Sequence, residues 1–271
     1  MDIGIINKED NMNVNVVKHG WELYTPVEWF ALYPTLIEKY GRTCYKSEDK
    51  TTKESSAKFI KMLIKSGHHS VVEHLGITVK ITCDRACSHQ LVRHRLAAYS
   101  QESQRYCDYG YKGLNVIVPP KFNLAVGTYN SENKNVFEDL EGEQYEIGTN
   151  EFVFLNSVYE AYDGYSVARD LGIKPEDARV LLPNATKTEV VTTYNLRQWR
   201  HVFEDRALNP RAQWQIREIM CSILQYFGKV LPDFFGDQSA KLTGDFSDFD
   251  LTQKINPSKL CCDPHKCNCH K

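Results

Sequence analysis

The sequence predicts an α/β (α+β) fold, a mixed sheet with packed helices. Three observations predict it. Segments of period two and segments of helical period alternate along the chain, without the regular βαβ spacing of a doubly wound sheet. The 271 residues leave room for one large domain or two small ones, and one is expected. Hydrophobic residues at 42%, charged residues at 25% and aromatics at 11% are globular values, which excludes collagen-like, low-complexity and wholly disordered chains.

Each element follows from local pattern. Residues 13–17, NVNVV, alternate as a first strand. Pro26 to Tyr40 has helical spacing, with Pro34 breaking or restarting it. Ser55 to Ser66 places Ala57, Ile60, Leu63 and Ile64 on one face, and Gly67 ends the helix. Residues 76–82, GITVKIT, alternate as a half-buried strand, and Asp84 offers an N-cap to a helix that ends near Arg93–Arg95. Val116 to Pro119 reads as a short strand. Residues 121–148 are polar, and six acids face one lysine between Glu132 and Glu146, so an acidic surface insertion is expected there. Phe152 to Leu171 and Pro175 to Leu182 read as helices, Lys187 to Tyr194 as a strand, and Leu196 to Glu204 and Ala212 to Val230 as helices. Apolar periodicity fades after Pro232. The expected organisation is a catalytic domain over 1–236 and a tail over 237–271.

Net charge is −2. A protein that lives on duplex nucleic acid carries a basic stripe and a high pI, so no nucleic-acid partner is expected. No apolar run approaches the roughly 18 residues that span a bilayer, and MDIGIINKED has no apolar leader region. The expected setting is the cytoplasm, with no membrane partner and reduced cysteines.

The chemistry concentrates in two segments. Five of the nine histidines (His68, His69, His74, His89, His94) fall within 27 residues. In HHSVVEH, 68–74, the zinc pattern H-E-x-x-H is absent, and its inverted form would need a histidine where Ser70 stands. No metal is expected there; a turn with His74 and Glu73 paired is. In RHRLAAYSQESQR, 93–105, Arg93, His94 and Arg95 present up to three cations within three residues. Guanidinium is a rigid fork that fits phosphate oxygens two at a time. Apolar periodicity is absent from 97 to 105, so a polar loop is expected, suited to a phosphorylated ligand with a hydrogen-bonding ring.

Arg93-His94-Arg95, seven residues and then Ser103 resembles the signature of flavin-dependent thymidylate synthases, the ThyX family. GHHSVVEH at 67–74, DARVLLPNATKTEVVTTYNLRQWRHVFEDR at 177–206 and AQWQIR at 212–217 resemble further segments of that family, in the same order. The resemblance covers roughly residues 12–236. It implies a ThyX-like fold and reductive methylation of deoxyuridine monophosphate (dUMP) to thymidylate (dTMP). The carbon comes from methylenetetrahydrofolate, and the reducing equivalents from NADPH through FAD. It also implies a homotetramer with shared active sites.

Carried over by position, the resemblance implies that Arg93, His94 and Arg95 hold FAD, with Arg93 also reaching the nucleotide. Gln90 and Gln101, Glu102, Ser103, Gln104 and Arg105 would cradle the nucleotide, with Gln101 or Glu102 also turned to the flavin. Arg179 would contact its phosphate or sugar from another subunit. Asn195, Arg197 and His201 would line the flavin side, and His68 and Ser70 the FAD and folate side. Arg206 is the implied catalytic residue, its cation near N3 favouring the ionised uracil. Ser103 is read as a hydrogen-bonding ligand, since a serine nucleophile needs an adjacent base. The family often carries serine and asparagine where Ala98 and Ser100 stand, and glutamate where Gln101 stands. The segment 261–271, CCDPHKCNCHK, holds enough cysteines and histidines for one metal ion, but its spacing is not a recognised finger. An unstructured tail is expected.

Overall fold

The structure, a computed structural model, describes residues 13–109, 113–131 and 136–251. The Cys/His-rich segment 261–271 lies outside the described residues. In chain order the elements are β1 (Val14–Val16), β2 (Gly20–Leu23), α1 (Tyr33–Tyr45), α2 (Ser55–Lys65), β3 (Gly76–Asp84), α3 (Arg85–Leu91), β4 (Ala98–Gln101), β5 (Leu114–Val116), β6 (Gly127–Asn130), β7 (Val136–Asp139), β8 (Gln144–Glu146), α4 (Asn150–Asp170), α5 (Pro175–Ala178), β9 (Lys187–Asn195), α6 (Leu196–Arg206), α7 (Trp214–Val230) and α8 (Pro232–Ser239). This is the expected mixed α/β class, with one sheet of five strands and one of four. Contacts group the chain into two compact units: residues through His19 with Thr82–Gln90 and Gln101–Val190, and Gly20–Ile81 with Leu91–Ser100 and the residues from Val191 on.

In the first unit the sheet order is β5-β1-β6-β7-β8. β1 pairs with β5 in parallel, Val14 opposite Leu114, and with β6 antiparallel, Val14 opposite Tyr129. Helix α4 starts at Thr149, whose hydroxyl accepts from Phe152 N at 3.1 Å. Its Leu155, Val158, Tyr162 and Tyr165 recur at helical spacing and join Val14, Leu114, Tyr129 and Phe137 in one core. Residues 121–148 therefore do not stay on the surface throughout. Three strands run through them, and Tyr129 and Phe137 are buried. The charge count hid this, because in a strand only alternate side chains face inward. Asp84 is the N-cap that the sequence suggests, its Oδ1 accepting from Cys87 N at 2.6 Å.

In the second unit the sheet order is β2-β3-β9-β4. Pro34 restarts the chain as α1 after a single turn at Val27–Ala31. Helices α1 and α2 approach closely at Gly41, where a Cβ would lie 2.5 Å from the Phe59 ring. Trp21, Trp199, Phe203, Phe227 and Phe235 are fully buried together. The Trp199 ring sits 4.7 Å from Tyr194 and 5.3 Å from Phe227, and its Nε1 donates to Ile77 O at 3.1 Å. Two expectations change here. The segment 97–105 contains the strand β4 rather than loop alone, because pairing with β9 supplies what its polar sequence does not advertise. Beyond residue 237 the chain is still packed: α8 runs on to Ser239 and buries Gln238, and Leu251 N donates to Trp21 O at 2.7 Å.

Candidate active site

In the second unit, helix α6 and the turn after α3 bring one cluster of the expected site residues together. Asn195 caps α6 by accepting from Gln198 N at 2.8 Å. The helix buries Leu196, Trp199, Val202 and Phe203, which turns Arg197, His201 and Asp205 outward and leaves Arg206 half-buried in the last turn. Arg206 Nε donates to His94 Nε2 at 2.9 Å. Residues more than a hundred positions apart, assigned to one site from the sequence, are in direct contact.

The turn that carries His94 is fastened from below. His94 N donates to Leu91 O at 3.2 Å. Tyr99 Oη lies 2.8 Å from Leu91 O and 3.0 Å from His94 O, and 2.8 Å from Tyr194 Oη. A hydroxyl has one proton, so Tyr99 gives it to the carbonyl pair and accepts from Tyr194. Burial raises the pKa of both phenols, so both stay protonated. Neither tyrosine stood out in the sequence; the one available signal was the inward register of Tyr194 on β9, where burial alternates.

His94 is buried, and its ring stands edge-on to His201 at 6.2 Å. Burial first, and then the Arg206 charge, push its pKa down to about 4. The folded imidazole therefore stays neutral where an ordinary one would take up a proton. Between pH 6.5 and 4 the unfolded chain binds a proton that the folded chain refuses, so stability falls as pH falls through this window. We expect the wild type to lose of the order of 2–3 kcal/mol from this group between pH 7 and pH 4. Urea melts over that range should show a flatter profile for His94→Gln; identical profiles would remove His94 as the cause.

Beside this contact lies a cleft of about 560 Å³ whose lining includes Arg95, Arg197, Arg200, Asn195 and His201 together with Glu73 and Glu204. The volume is that of an ordinary ligand pocket. Arg197 pairs with Glu73. Glu73 thus serves Arg197, and His74 instead packs edge-on against Tyr40 at 5.3 Å, so the expected Glu73–His74 pair is not formed. Arg200 is held bidentately by Asp237, at 2.7 Å to each oxygen, which marks it as a structural cation. Arg93 is exposed, as are His68 and Ser70. His68 stacks on Tyr45, with Tyr45 Oη 2.5 Å from its Nδ1.

Donor atoms of His94, His201 and Asp205 lie within 4.8 Å of one another. A divalent cation there would meet the guanidinium that already occupies His94 Nε2. The donors for an FAD-like molecule are in place: fixed cations for a pyrophosphate, and Asn195 and His201 for a polar ring.

In the first unit, the segment after β4 carries a separate cluster of the residues expected at a site. Gln101 Nε2 donates to Ser88 Oγ at 3.0 Å and lies 3.4 Å from Thr188 Oγ1. Glu102 accepts from Tyr109 Oη at 2.6 Å and pairs with Lys187 at 3.2 Å. That clasp involves both carboxylate oxygens of Glu102. Ser103 Oγ accepts from Arg105 N at 3.3 Å. Gln104 is buried and Gln90 half-buried. Arg105 binds Glu176 through Nε and Nη2, each at 3.0 Å, while Arg179 Nε donates to Glu176 O at 3.0 Å. The Arg105–Glu176 pair ties the segment after β4 to α5, a link invisible from their separation in sequence.

A family model described as thymidylate synthase complementing protein, Thy1, matches residues 32–233. The chain is 34% identical over 204 residues to the flavin-dependent thymidylate synthase of Geobacter sulfurreducens, a match that covers 73% of this chain and 78% of that one. It is 32% identical over 219 residues to the enzyme of the same name from Pyrococcus furiosus, covering 80% of this chain and 78% of that one. The crystal structure of the UMP/dUMP methylase PolB from Streptomyces cacaoi, bound with 5-Br dUMP, superposes with a TM-score of 0.61 at 21% identity, over 85% of this chain and 99% of that one. There the likeness is one of fold.

Proposed function

The chain belongs to the thymidylate synthase complementing protein (Thy1) family, and from that premise we propose that it is a flavin-dependent thymidylate synthase that methylates dUMP at C5 to give dTMP. The observation that carries the reading is the contact between Arg206 Nε and His94 Nε2, which joins the 93–95 signature to the 195–206 segment beside a cleft lined by Arg95, Arg197 and Arg200. Methylenetetrahydrofolate supplies the carbon, and bound FAD supplies reducing equivalents drawn from NADPH.

The chain's own groups bind, orient and polarise. Arg93, His94, Arg95, Asn195, Arg197 and His201 hold the flavin, with His68 and Ser70 toward flavin and folate. Gln90, Gln101, Glu102, Ser103, Gln104 and Arg105 cradle the nucleotide, Arg93 reaches it as well, and Arg179 of another subunit reaches its phosphate or sugar. Because the clasp on Glu102 leaves it little to offer a ligand, Gln101 is the better candidate for contact with the flavin. Arg206 places its cation at the uracil and favours the anionic ring.

We take residues 1–236 as the catalytic region and a homotetramer with shared sites as the working assembly. Supporting the assembly, Leu96 is 76% exposed, Tyr106 81% and Val180 80%, each close in sequence to a site residue. No helix among the described residues is long and apolar enough to cross a membrane.

A visible absorption spectrum of the purified protein tests the function directly. Flavin bands should be present or appear with added FAD, and should bleach with NADPH. Thymidylate should then form from dUMP and methylenetetrahydrofolate. A protein that shows no flavin bands even with excess FAD would end the proposal.

A further inference from the structure

We infer that His94 is a positioning residue for Arg206, its neutral imidazole accepting the Arg206 Nε–H and so fixing the plane in which the guanidinium meets the nucleotide. The inference rests on the function proposed above, and it gives His94 a task other than gripping the cofactor. Nε, Cζ and both terminal nitrogens of arginine are coplanar, so a bond at Nε sets the orientation of the other two. The 2.9 Å contact requires Nε2 of His94 to carry a lone pair, so the ring proton resides on Nδ1.

The surroundings hold the ring in that state. His94 is 7% exposed, which penalises the charged form. From α6 it faces Arg206, His201 and Asp205. Asp205 alone would favour protonation, but it is exposed and lies 3.4 Å from His201. Arg95 stands beside it on the same turn, and its Nη1 donates to Val92 O at 3.1 Å. Beneath it the Tyr99–Tyr194 pair grips the main chain at His94 O, so the ring is placed from a fixed backbone. Protonation of His94 would replace an acceptor by a donor and set two cations against each other. The contact is therefore built to persist well below the pH at which an ordinary imidazole is protonated, failing as pH falls through about 4.

The experiment uses the full-length holoenzyme and the variants His94→Leu, His94→Gln, Arg206→Ala and the double variant His94→Leu/Arg206→Ala. With flavin and nucleotide saturating, His94→Leu should lower kcat by about 30–100-fold, in line with the cost of misplacing a reacting group by about 1 Å, while the nucleotide KM changes by less than about threefold. Glutamine offers a carboxamide oxygen as acceptor, so His94→Gln should recover about tenfold of that loss. The double variant should be no slower than Arg206→Ala, because the two residues act as a unit. A second readout needs no turnover. In protein with 13C-labelled histidine, the His94 resonance should report the Nδ1–H form and stay neutral down to about pH 5, and its midpoint should rise in Arg206→Ala.

The inference is overturned if His94→Leu weakens flavin binding alone and turns over normally once flavin saturates. It is also overturned if the single losses add in the double variant, or if His94 titrates near 6.5 with Nε2 protonated. Should His94→Leu fail to fold, the histidine resonance and His94→Gln still decide. If the wild type forms no thymidylate at all, the proposed function falls, and the resonance separately shows whether the Arg206–His94 bond exists.

Discussion

Arg206→Ala is expected to fold normally and to lose about 10²–10³-fold in kcat, the range seen when one preorganised stabiliser of developing charge is removed. The residue is half-buried at the end of α6, and its helix is anchored by Leu196, Trp199, Val202 and Phe203 rather than by the arginine itself. Truncation therefore leaves the packing intact. A cation beside the uracil ring stabilises the charge that grows there as C5 becomes nucleophilic, and it does so best where water is scarce. Single-turnover thymidylate formation, paired with a thermal melt, is the measurement. A variant that melts with the wild type and turns over within threefold of it would show that another group carries the charge. Arg206→Lys separates charge from geometry. Lysine keeps the cation but has no fork, so a partial loss is expected.

The largest expected effect on stability is at Trp199. This side chain is fully buried between Tyr194, Phe203 and Phe227, and its indole N–H is satisfied by Ile77 O. Trp199→Ala removes the ring, opens a cavity and leaves a strand carbonyl without its donor. About 3–5 kcal/mol of destabilisation is expected, enough to exhaust much of an ordinary domain's margin. Trp199→Phe fills most of the space and loses the hydrogen bond, so it should cost less, about 1–3 kcal/mol. Urea midpoints of the two variants test this. Equal midpoints for alanine and wild type would mean that the aromatic cluster is not the core of its unit. Because Trp199 lies between Asn195 and Arg206 on α6, a loosened Trp199→Ala should also lose turnover.

Much of the fold was legible where the signal was local. Asp84, Pro34 and the helical spacing of 152–171 each declare themselves within a few residues, and the structure follows them. Elements whose stability comes from partners distant in the chain were harder to see. β4 is a polar segment held by pairing with β9, and β2 is four residues long. β6 to β8 are acidic outside and aromatic inside, so composition pointed to the surface while two side chains went to the core. α8 is short and has no long periodic run to expose it.

The site divides along the same line. The 93–105 segment drew notice from its own residues, because cations and short polar side chains crowd there. Arg206 has no such neighbourhood; only the likeness of the surrounding segment to a known family singled it out. The supporting residues stayed hidden for a further reason. Glu176, Tyr99, Tyr194, Tyr109 and Lys187 matter through hydrogen bonds and ion pairs, several with distant partners, and a lone tyrosine or glutamate in a sequence does not say whom it will meet.

The chain passes between its two units five times, at 19/20, 81/82, 90/91, 100/101 and 190/191. No single scission can release either half, and no continuous fragment of the gene encodes one. A nascent polypeptide completes the first unit only on reaching Val190, and the second only after that. The first core can therefore close once Val190 has left the ribosome, while the second waits for the last third of the chain.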